Sequence, residues 1–202
     1  EDLYVDESTE EGPYKSSHSA EYLERVIYNC PKCGFTTFQS HKQILHCTTC
    51  NMMLRYNEYK QFEGINIDAP FKNVNEWYEY QKIKLFDMKL MSYDTNYLFF
   101  EDKVKFIEVL FRKSKKIIDK NAIIKMYSNR IEVIYQEKKS QFLFDKISSS
   151  GVFGKNKLNF YVDKYILQFK GNHSFNAMKY VNLFYKYKIE KGDVKNDKFL
   201  GL

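Results

Sequence analysis

Cys30-Pro31-Lys32-Cys33-Gly34 and, after residues 35–46, Cys47-Thr48-Thr49-Cys50 are the two stretches that decide the fold of the first part of this chain. They contain all four cysteines of the 202 residues. A C-x2-C pair forms a tight turn that directs two thiolates to one point, and two such turns supply the four sulfurs of a tetrahedral zinc site. The spacing therefore predicts a zinc ribbon with Cys30, Cys33, Cys47 and Cys50 as ligands.

The residues beside the cysteines support this prediction. Gly34 follows the first pair, where the turning backbone often needs a positive φ. Asn51 holds the same place after the second pair, and Asn is the next most tolerant residue for that conformation. Residues 35–46 between the pairs are long enough for a β-hairpin and little else.

Two disulfides or a redox pair are the alternatives to a metal. Disulfides suit a small secreted protein, and nothing in this sequence resembles a secretory signal. A redox C-x-x-C needs a thioredoxin-like context, which the flanking residues do not offer. His41 and His46 lie between the pairs, but four cysteines already close the site, so we expect both at the hairpin surface. A closed site has no open position for water or substrate, so the zinc is expected to be structural.

Length and composition predict a second, larger unit. A ribbon of about 40 residues buries too little apolar surface to fold without metal. The remaining residues include most of the 17 Phe and 17 Tyr of the chain, so we expect an aromatic core there. No apolar run approaches the roughly 18–20 residues that span a bilayer. Because the chain begins with Glu rather than Met, we expect it to be a piece of a longer protein.

Charge is unevenly distributed along the chain. The net charge is +6, yet residues 1–24 carry −7, so the rest carries +13. A basic body favours an anionic partner, either nucleic acid or a membrane surface, although a solvated lysine-rich surface explains the charge equally well. Only four of the 32 basic residues are arginine, which weakens the case for bidentate recognition of phosphates or bases.

Composition and periodicity divide the chain into five segments. Residues 1–24 are an acidic linker, 25–70 the zinc ribbon, and 71–93 a connecting amphipathic helix. Residues 94–192 form a β domain, and 193–202 a tail. For the connecting helix, Asn73 is the expected N-cap, with Glu76 completing an approximate capping box. Its largely apolar stripe carries the only tryptophan, Trp77, and is expected to dock the ribbon on the β domain.

The β domain is predicted from short β-branched and aromatic runs. They are 97–100, 104–110, 122–127, 131–135, 142–144, 158–162 and 165–169. Ser128-Asn129 and Asp163-Lys164 fit two-residue hairpin turns. Asn172 or Ser174 is expected to cap a final helix that ends at Gly192. This order predicts an α+β, mostly β fold with a pleckstrin-homology-like (PH-like) or GRAM-like barrel closed by a C-terminal helix, and other small β-rolls share the order.

One basic cluster is the best anion-binding prediction, and no pattern predicts catalysis. Arg112, Lys113, Lys115 and Lys116 follow the predicted strand 104–110 and should lie in an inter-strand loop, where they could meet lipid phosphates. A solvated loop without a ligand is the alternative. Gly151 to Gly154 lacks the context of a phosphate loop, and no carboxylate pair or His–nucleophile arrangement is evident.

Three stretches resemble a known family. They are residues 15–35 (KSSHSAEYLERVIYNCPKCGF), the pair Cys47 and Cys50, and residues 71–81 (FKNVNEWYEYQ). Together they resemble the C-terminal extension of bacterial 1-acyl-glycerol-3-phosphate acyltransferases (lysophospholipid acyltransferases). The likeness is best over 15–81 and thinner over 95–190. The ribbon cysteines occur in many families, so the Asn-Glu-Trp-Tyr helix is the more telling part.

The resemblance implies a non-catalytic accessory region. The catalytic signature of that family is His-x4-Asp, but Leu23, His46, Asn51 and Met178 stand five positions after the four histidines. It implies an upstream acyltransferase domain in the same polypeptide, phospholipid synthesis, and a cytoplasmic location, peripheral at the inner face of the membrane. A basic ribbon that binds nucleic acid, or a protein-interaction module, is the alternative that the residues leave open.

Overall fold

The computed structural model describes residues 12–110 and 115–193, which are mostly β with two α-helices. The helices are α1 (Val74–Asp87) and α2 (Met178–Glu190). The first six strands are β1 (Asn29–Cys30), β2 (Gly34–Phe35), β3 (Phe38–His41), β4 (Ile44–Cys47), β5 (Met53–Tyr56) and β6 (Phe62–Gly64). The next seven are β7 (Phe100–Leu110), β8 (Lys115–Met126), β9 (Arg130–Tyr135), β10 (Lys138–Leu143), β11 (Ser149–Val152), β12 (Lys157–Val162) and β13 (Tyr165–Lys170). Short 3-10 turns occur at Leu23–Arg25, Leu90–Ser92 and Phe144–Lys146.

The cysteine-bearing part contains two small antiparallel sheets. β1 pairs with β2, and β3 to β6 form a four-stranded sheet in sequence order. Side chains alternate across this sheet, so Phe38, Leu45 and Leu54 are buried while His46 and Met53 lie on the outer face. The β3–β4 hairpin occupies the residues between the two cysteine pairs, as predicted.

Helix α1 begins at the predicted cap. The Asn73 side chain accepts a hydrogen bond from the Glu76 amide at 2.9 Å. Glu76 in turn accepts from the Lys72 amide at 2.7 Å, rather than from Asn73 as a strict capping box requires. Further along, Trp77 belongs to the core of the cysteine-bearing part and Leu85 to the core of the second part. One face of α1 therefore contacts both cores.

The second part is a curled seven-stranded antiparallel sheet. The strand order is β10-β9-β8-β7-β13-β12-β11, so β7 and β13 join two consecutive meanders. The register of β7 against β8 shifts between Val104 and Ile107, and such irregularities bend a strand. Most of α2 is buried against this sheet, and the helix ends at Glu190, two residues before Gly192, whose φ is +82°. The turns at Ser128-Asn129 and Asp163-Lys164 lie where the sequence predicts them.

Four local features differ from the sequence predictions. The run 97–100 does not form a strand of its own, because only Phe100 belongs to a strand, as the first residue of β7. β8 begins at Lys115 rather than near Ala122, because the β7–β8 hairpin continues into a polar, largely exposed arm that shows no apolar pattern. β11 was not predicted, since its small residues carry no strand signal. Neither Asn172 nor Ser174 caps α2, which begins at Met178. Instead the Asn176 side chain accepts from the Lys179 amide at 3.1 Å.

Candidate metal centre

The four cysteines converge where the ends of separate strands meet. Cys30 ends β1 and Cys47 ends β4, while Cys33 and Cys50 lie in the turns that follow. Gly34 has φ +72° and Asn51 has φ +59°, the conformation predicted for both positions. In the second turn, the Asn51 amide donates to the Cys47 carbonyl at 3.0 Å. The local backbone therefore has the tight turns that metal-binding cysteine pairs use.

The sulfur atoms are spaced for one metal ion. All four Sγ atoms lie within 4.8 Å of one another. The Sγ–Sγ distance is 3.8 Å between Cys30 and Cys50, and 4.0 Å between Cys33 and Cys47. A tetrahedron with Zn–S bonds of about 2.3 Å has edges of about 3.8 Å, whereas a disulfide bond is only about 2.05 Å long. All four cysteines are free, so the donor set fits a metal such as zinc.

The pKa values of these cysteines depend on burial and on the neighbouring sulfur atoms. Burial raises the pKa of Cys30, while backbone N–H groups of Lys32 and Cys33 work in the opposite direction. Burial, followed by the neighbouring thiols, raises the pKa of Cys33 to about 12. Burial also opposes ionisation of Cys50, but the Met52 amide and the other thiols outweigh it and lower its pKa to about 7. Four thiolates cannot share so small a volume without a cation to neutralise them.

Helix α1 fixes the strand that leads to Cys30. The Gln81 Oε1 atom accepts from the Tyr28 amide at 2.6 Å and from the Asn29 amide at 2.9 Å. The Trp77 indole donates to the Asn29 carbonyl at 2.8 Å. These bonds satisfy backbone groups that β1 leaves without a ladder partner. Gln81 and Trp77 therefore hold the backbone next to Cys30 in place, as residues that surround the ligands of a metal site do.

Residues on either side of the first cysteine pair contact the second part of the protein. Phe35, immediately after Gly34, meets Phe100 at a ring-centroid distance of 5.2 Å. The buried Tyr28 hydroxyl accepts from the Asn182 amide of α2 at 2.9 Å. Asn176, just before α2, donates to the carbonyl oxygens of Glu24 and Ile27. The two parts therefore share a polar and aromatic interface next to the metal ligands.

Sequence reasoning missed much of this interface. Gln81 lies on the largely apolar stripe of α1, and a buried amide among apolar residues is the signal of a backbone partner. Asn176 and Asn182 lie beside and within α2, at buried positions. Their partners are about 150 residues away in sequence, so no local pattern identifies them.

The histidines and the basic cluster lie elsewhere. Within residues 12–110 and 115–193, the cysteines are the one group of three or more His, Cys, Asp or Glu residues close enough to hold a metal. His46 contacts the Asn51 side chain at 3.3 Å. Arg112 and Lys113 fall outside the described residues. Lys115 and Lys116 are exposed residues of β8 that pair with Val109 and Glu108 of β7, so they lie in a strand and not in the predicted loop.

Comparisons with known proteins give little guidance. No family model and no curated protein matches the chain. A matching solved structure is the N-terminal PH domain of human ARAP2, at 13% sequence identity, covering 48% of this chain and 86% of that chain with a TM-score of 0.36. Among the described residues, no helix has the length and apolar character needed to cross a membrane.

Proposed function

We propose that this chain is a zinc-stabilised accessory region, composed of a zinc ribbon and a PH/GRAM-like domain, that docks or regulates a membrane-associated lysophosphatidic acid acyltransferase. The observation that carries the non-catalytic role is the cluster of four cysteine sulfurs within 4.8 Å of one another. Four sulfurs complete the coordination of zinc and leave no position for water or substrate. When bound, the metal supplies charge neutralisation and a cross-link between β1 and β4.

The PH/GRAM-like assignment is supported by the order of elements alone. Seven antiparallel strands are followed by one buried C-terminal helix, the arrangement expected from the sequence. A curled sheet leaves one open end, and a helix there covers the apolar interior. In this reading the β domain supplies the surface that meets a partner or a membrane.

The membrane-facing surface in this proposal is the basic cluster of Arg112, Lys113, Lys115 and Lys116. The side chains of Lys115 and Lys116 are exposed at the start of β8. Each basic side chain near an anionic leaflet contributes about 1 kcal/mol, so four give weak, salt-sensitive adhesion.

Vesicle sedimentation tests this surface. We expect the chain to sediment with phosphatidylglycerol or phosphatidate vesicles at low salt, and the change of all four residues to Glu to abolish this. The matched control changes four other exposed lysines, Lys138, Lys146, Lys155 and Lys170, to Glu. Because both variants lose the same charge, equal loss of binding would reject a local role for the cluster. Absence of binding by the unchanged chain would reject the lipid role altogether.

The link to an acyltransferase rests on the resemblance over residues 15–81. The residues upstream of Glu1 in the full-length gene product test it directly. An acyltransferase domain with a His-x4-Asp signature there would support the link, and a different domain would reject it. We also expect purified residues 1–202 to transfer no acyl group to lysophosphatidate above a heat-killed control.

The alternative is a ribbon that binds nucleic acid or another protein. Its support is the net charge of +13 after residue 24. A basic surface that neutralises several phosphates loses affinity steeply as salt increases. Tight, salt-dependent binding to RNA or DNA without sedimentation on vesicles would therefore favour this alternative over the proposal above.

A further inference from the structure

A cleft lies between the two parts of the protein, away from the cysteines. Its volume is about 550 Å³, within the range of small-molecule sites. Its floor is the outer face of β3, β4 and β5, where Ile44 and Met53 supply apolar surface. His173, in the segment between β13 and α2, lines the opposite side, and Glu24 lies at the edge beside β3. We call it the Glu24 cleft.

Glu24 is the unusual residue of this cleft. It is only 4% exposed, and one of its carboxylate oxygens accepts a hydrogen bond from the Ser40 hydroxyl. Within residues 12–110 and 115–193, no Lys, Arg or His forms an ion pair with it. A buried carboxylate normally needs a cationic partner, because removing its charge from water is unfavourable. Glu24 accepts a hydrogen bond from Ser40 but has no cationic partner among the described residues.

The adjacent basic residue is committed elsewhere. The Arg25 Nε atom donates to the His173 carbonyl at 2.5 Å, and its guanidinium lies 3.9 Å from the centre of the Tyr22 ring. These contacts direct Arg25 to the rim of the cleft. They also connect the rim of the ribbon to the segment between β13 and α2.

The remaining polar groups suit a donor-rich ligand. His41, His46 and His173 line the same cleft, and a neutral imidazole accepts a hydrogen bond through its unprotonated nitrogen. Metal binding here is not indicated, because the cysteines alone form a cluster of metal-ligand spacing in the described part of the chain. One buried carboxylate, imidazole acceptors and an apolar floor together match a cation that is carried on an aliphatic stem.

We infer that the Glu24 cleft binds a primary ammonium group at the end of an aliphatic chain. The ammonium lies against the Glu24 carboxylate, and the stem covers Ile44 and Met53. This chemistry occurs both in lysyl side chains and in free diamines. The site is separate from the zinc centre and from the basic cluster, so it does not depend on the function proposed above.

NMR titration of the zinc-loaded chain at low salt tests the inference. The probes are Nα-acetyl-lysine N-methylamide and 1,5-diaminopentane, and the control ligand is the same lysine amide acetylated at Nε, which is uncharged. We expect millimolar binding of at least one amine, with shifts of the amide signals of Glu24, Ser40 and His46. The amine that binds more tightly identifies the source. Binding by neither amine, or equal binding by the neutral control, overturns the inference.

Two variants separate the carboxylate from general electrostatics. Glu24→Gln keeps an acceptor for Ser40 and removes the charge, and we expect it to weaken binding about tenfold or more. Glu21→Gln removes the same charge nearby, where the carboxylate is 3.7 Å from His18, and should change affinity less than twofold. Equal effects of these two changes overturn the inference.

Met53→Trp narrows the cleft without touching Glu24, and Met53 is exposed enough to tolerate it. It should also weaken amine binding. This variant is the test of the inference if Glu24→Gln loses zinc or does not fold. Unaltered affinity in Met53→Trp would then overturn the inference.

Discussion

The cysteine-bearing part, which we propose to be a zinc ribbon, and the β domain differ in how much core each one has. Among the residues that the structure describes, eleven buried residues form the ribbon core and two of them are cysteines, whereas twenty-five form the core of the β domain. Buried apolar surface stabilises a domain roughly in proportion to its area, so the smaller core depends more on other sources. The ribbon has two such sources, the proposed metal and its attachment to α1. We expect the β domain, with its larger core, to stay folded without the metal.

Loss of the metal should produce the largest difference in stability between the two parts. Cys33→Ser removes one ligand, and structural zinc contributes on the order of 10 kcal/mol in small modules. We expect residues 25–68 to unfold while the seven-stranded sheet stays folded. Hydrogen-exchange mass spectrometry of both parts, with zinc analysis, measures this.

Lys32→Ala is the control for Cys33→Ser, because Lys32 lies in the same turn, is exposed, and is not a ligand. It should retain one zinc per chain. Well under one zinc in the freshly purified, unchanged chain would contradict the proposed centre. So would rapid exchange throughout β7 to β13 in Cys33→Ser.

The second test removes the aromatic centre of the ribbon core. Trp77 is fully buried, and its ring lies 5.3 Å from that of Phe62 and 5.4 Å from that of Phe38, centroid to centroid. Trp77→Ala should lower the free energy of unfolding of the ribbon by about 3–5 kcal/mol. Ile83→Ala, on the exposed face of α1, should change it by less than about 0.5 kcal/mol. Denaturant titration compares them, and equal effects would show that α1 does not complete the ribbon core.

The cysteine spacing was enough to predict the cluster, because a C-x2-C turn is a local structure whose shape depends on few residues. Gly34 and Asn51 added the backbone conformation for the same reason. Seven runs of β-branched and aromatic residues likewise predicted most of the second sheet, since a buried strand face produces a pattern of period two.

The features that the sequence could not predict depend on contacts between residues far apart in sequence, or on exposed strand residues. The polar arm of β8 from Lys115 is held by pairing with β7 and has no buried face to produce a pattern. Gln81 and Asn182 contact the strand before Cys30 from helices far along the chain. By sequence Glu24 belongs to the acidic linker, but the 3-10 turn Leu23–Arg25 places it beside β3. Tertiary placement determined all of these roles.

The third test concerns the attachment between the two parts. Gln81→Leu keeps the volume but removes the acceptor of the Tyr28 and Asn29 amides, and each buried amide left unpaired costs about 1–3 kcal/mol. We expect the ribbon to unfold at lower denaturant than the β domain, so that two transitions replace a shared one. Lys82→Ala, beside it on the surface of α1, should leave the transition unchanged. An unaltered transition in Gln81→Leu would mean that the ribbon is stable without this attachment.

The smallest expected effect lies within the β domain and depends on pH. The Lys191 ammonium donates to Asp145 at 2.5 Å and the Tyr187 hydroxyl donates at 2.8 Å, and these bonds lower the pKa of Asp145 below its ordinary value. A carboxyl with a lower pKa in the folded state stabilises the fold above its unfolded pKa, about 3.9, and loses that stabilisation as the pH falls through the folded value. Asp145→Asn should therefore lower the melting temperature of the β domain by a few degrees near neutral pH.

The difference between Asp145→Asn and the unchanged chain should disappear in acid and shrink in high salt, since 45% of the Asp145 side chain and 39% of the Lys191 side chain are exposed. Asp68→Asn, an exposed carboxyl in the ribbon, should show no such dependence. Melting curves of the β domain from neutral to acidic pH measure this. A difference that persists below the folded pKa would show that Asp145 acts through packing and not through its charge. The ribbon should remain unaffected throughout, because this ion pair stabilises a part of the molecule that does not depend on the metal.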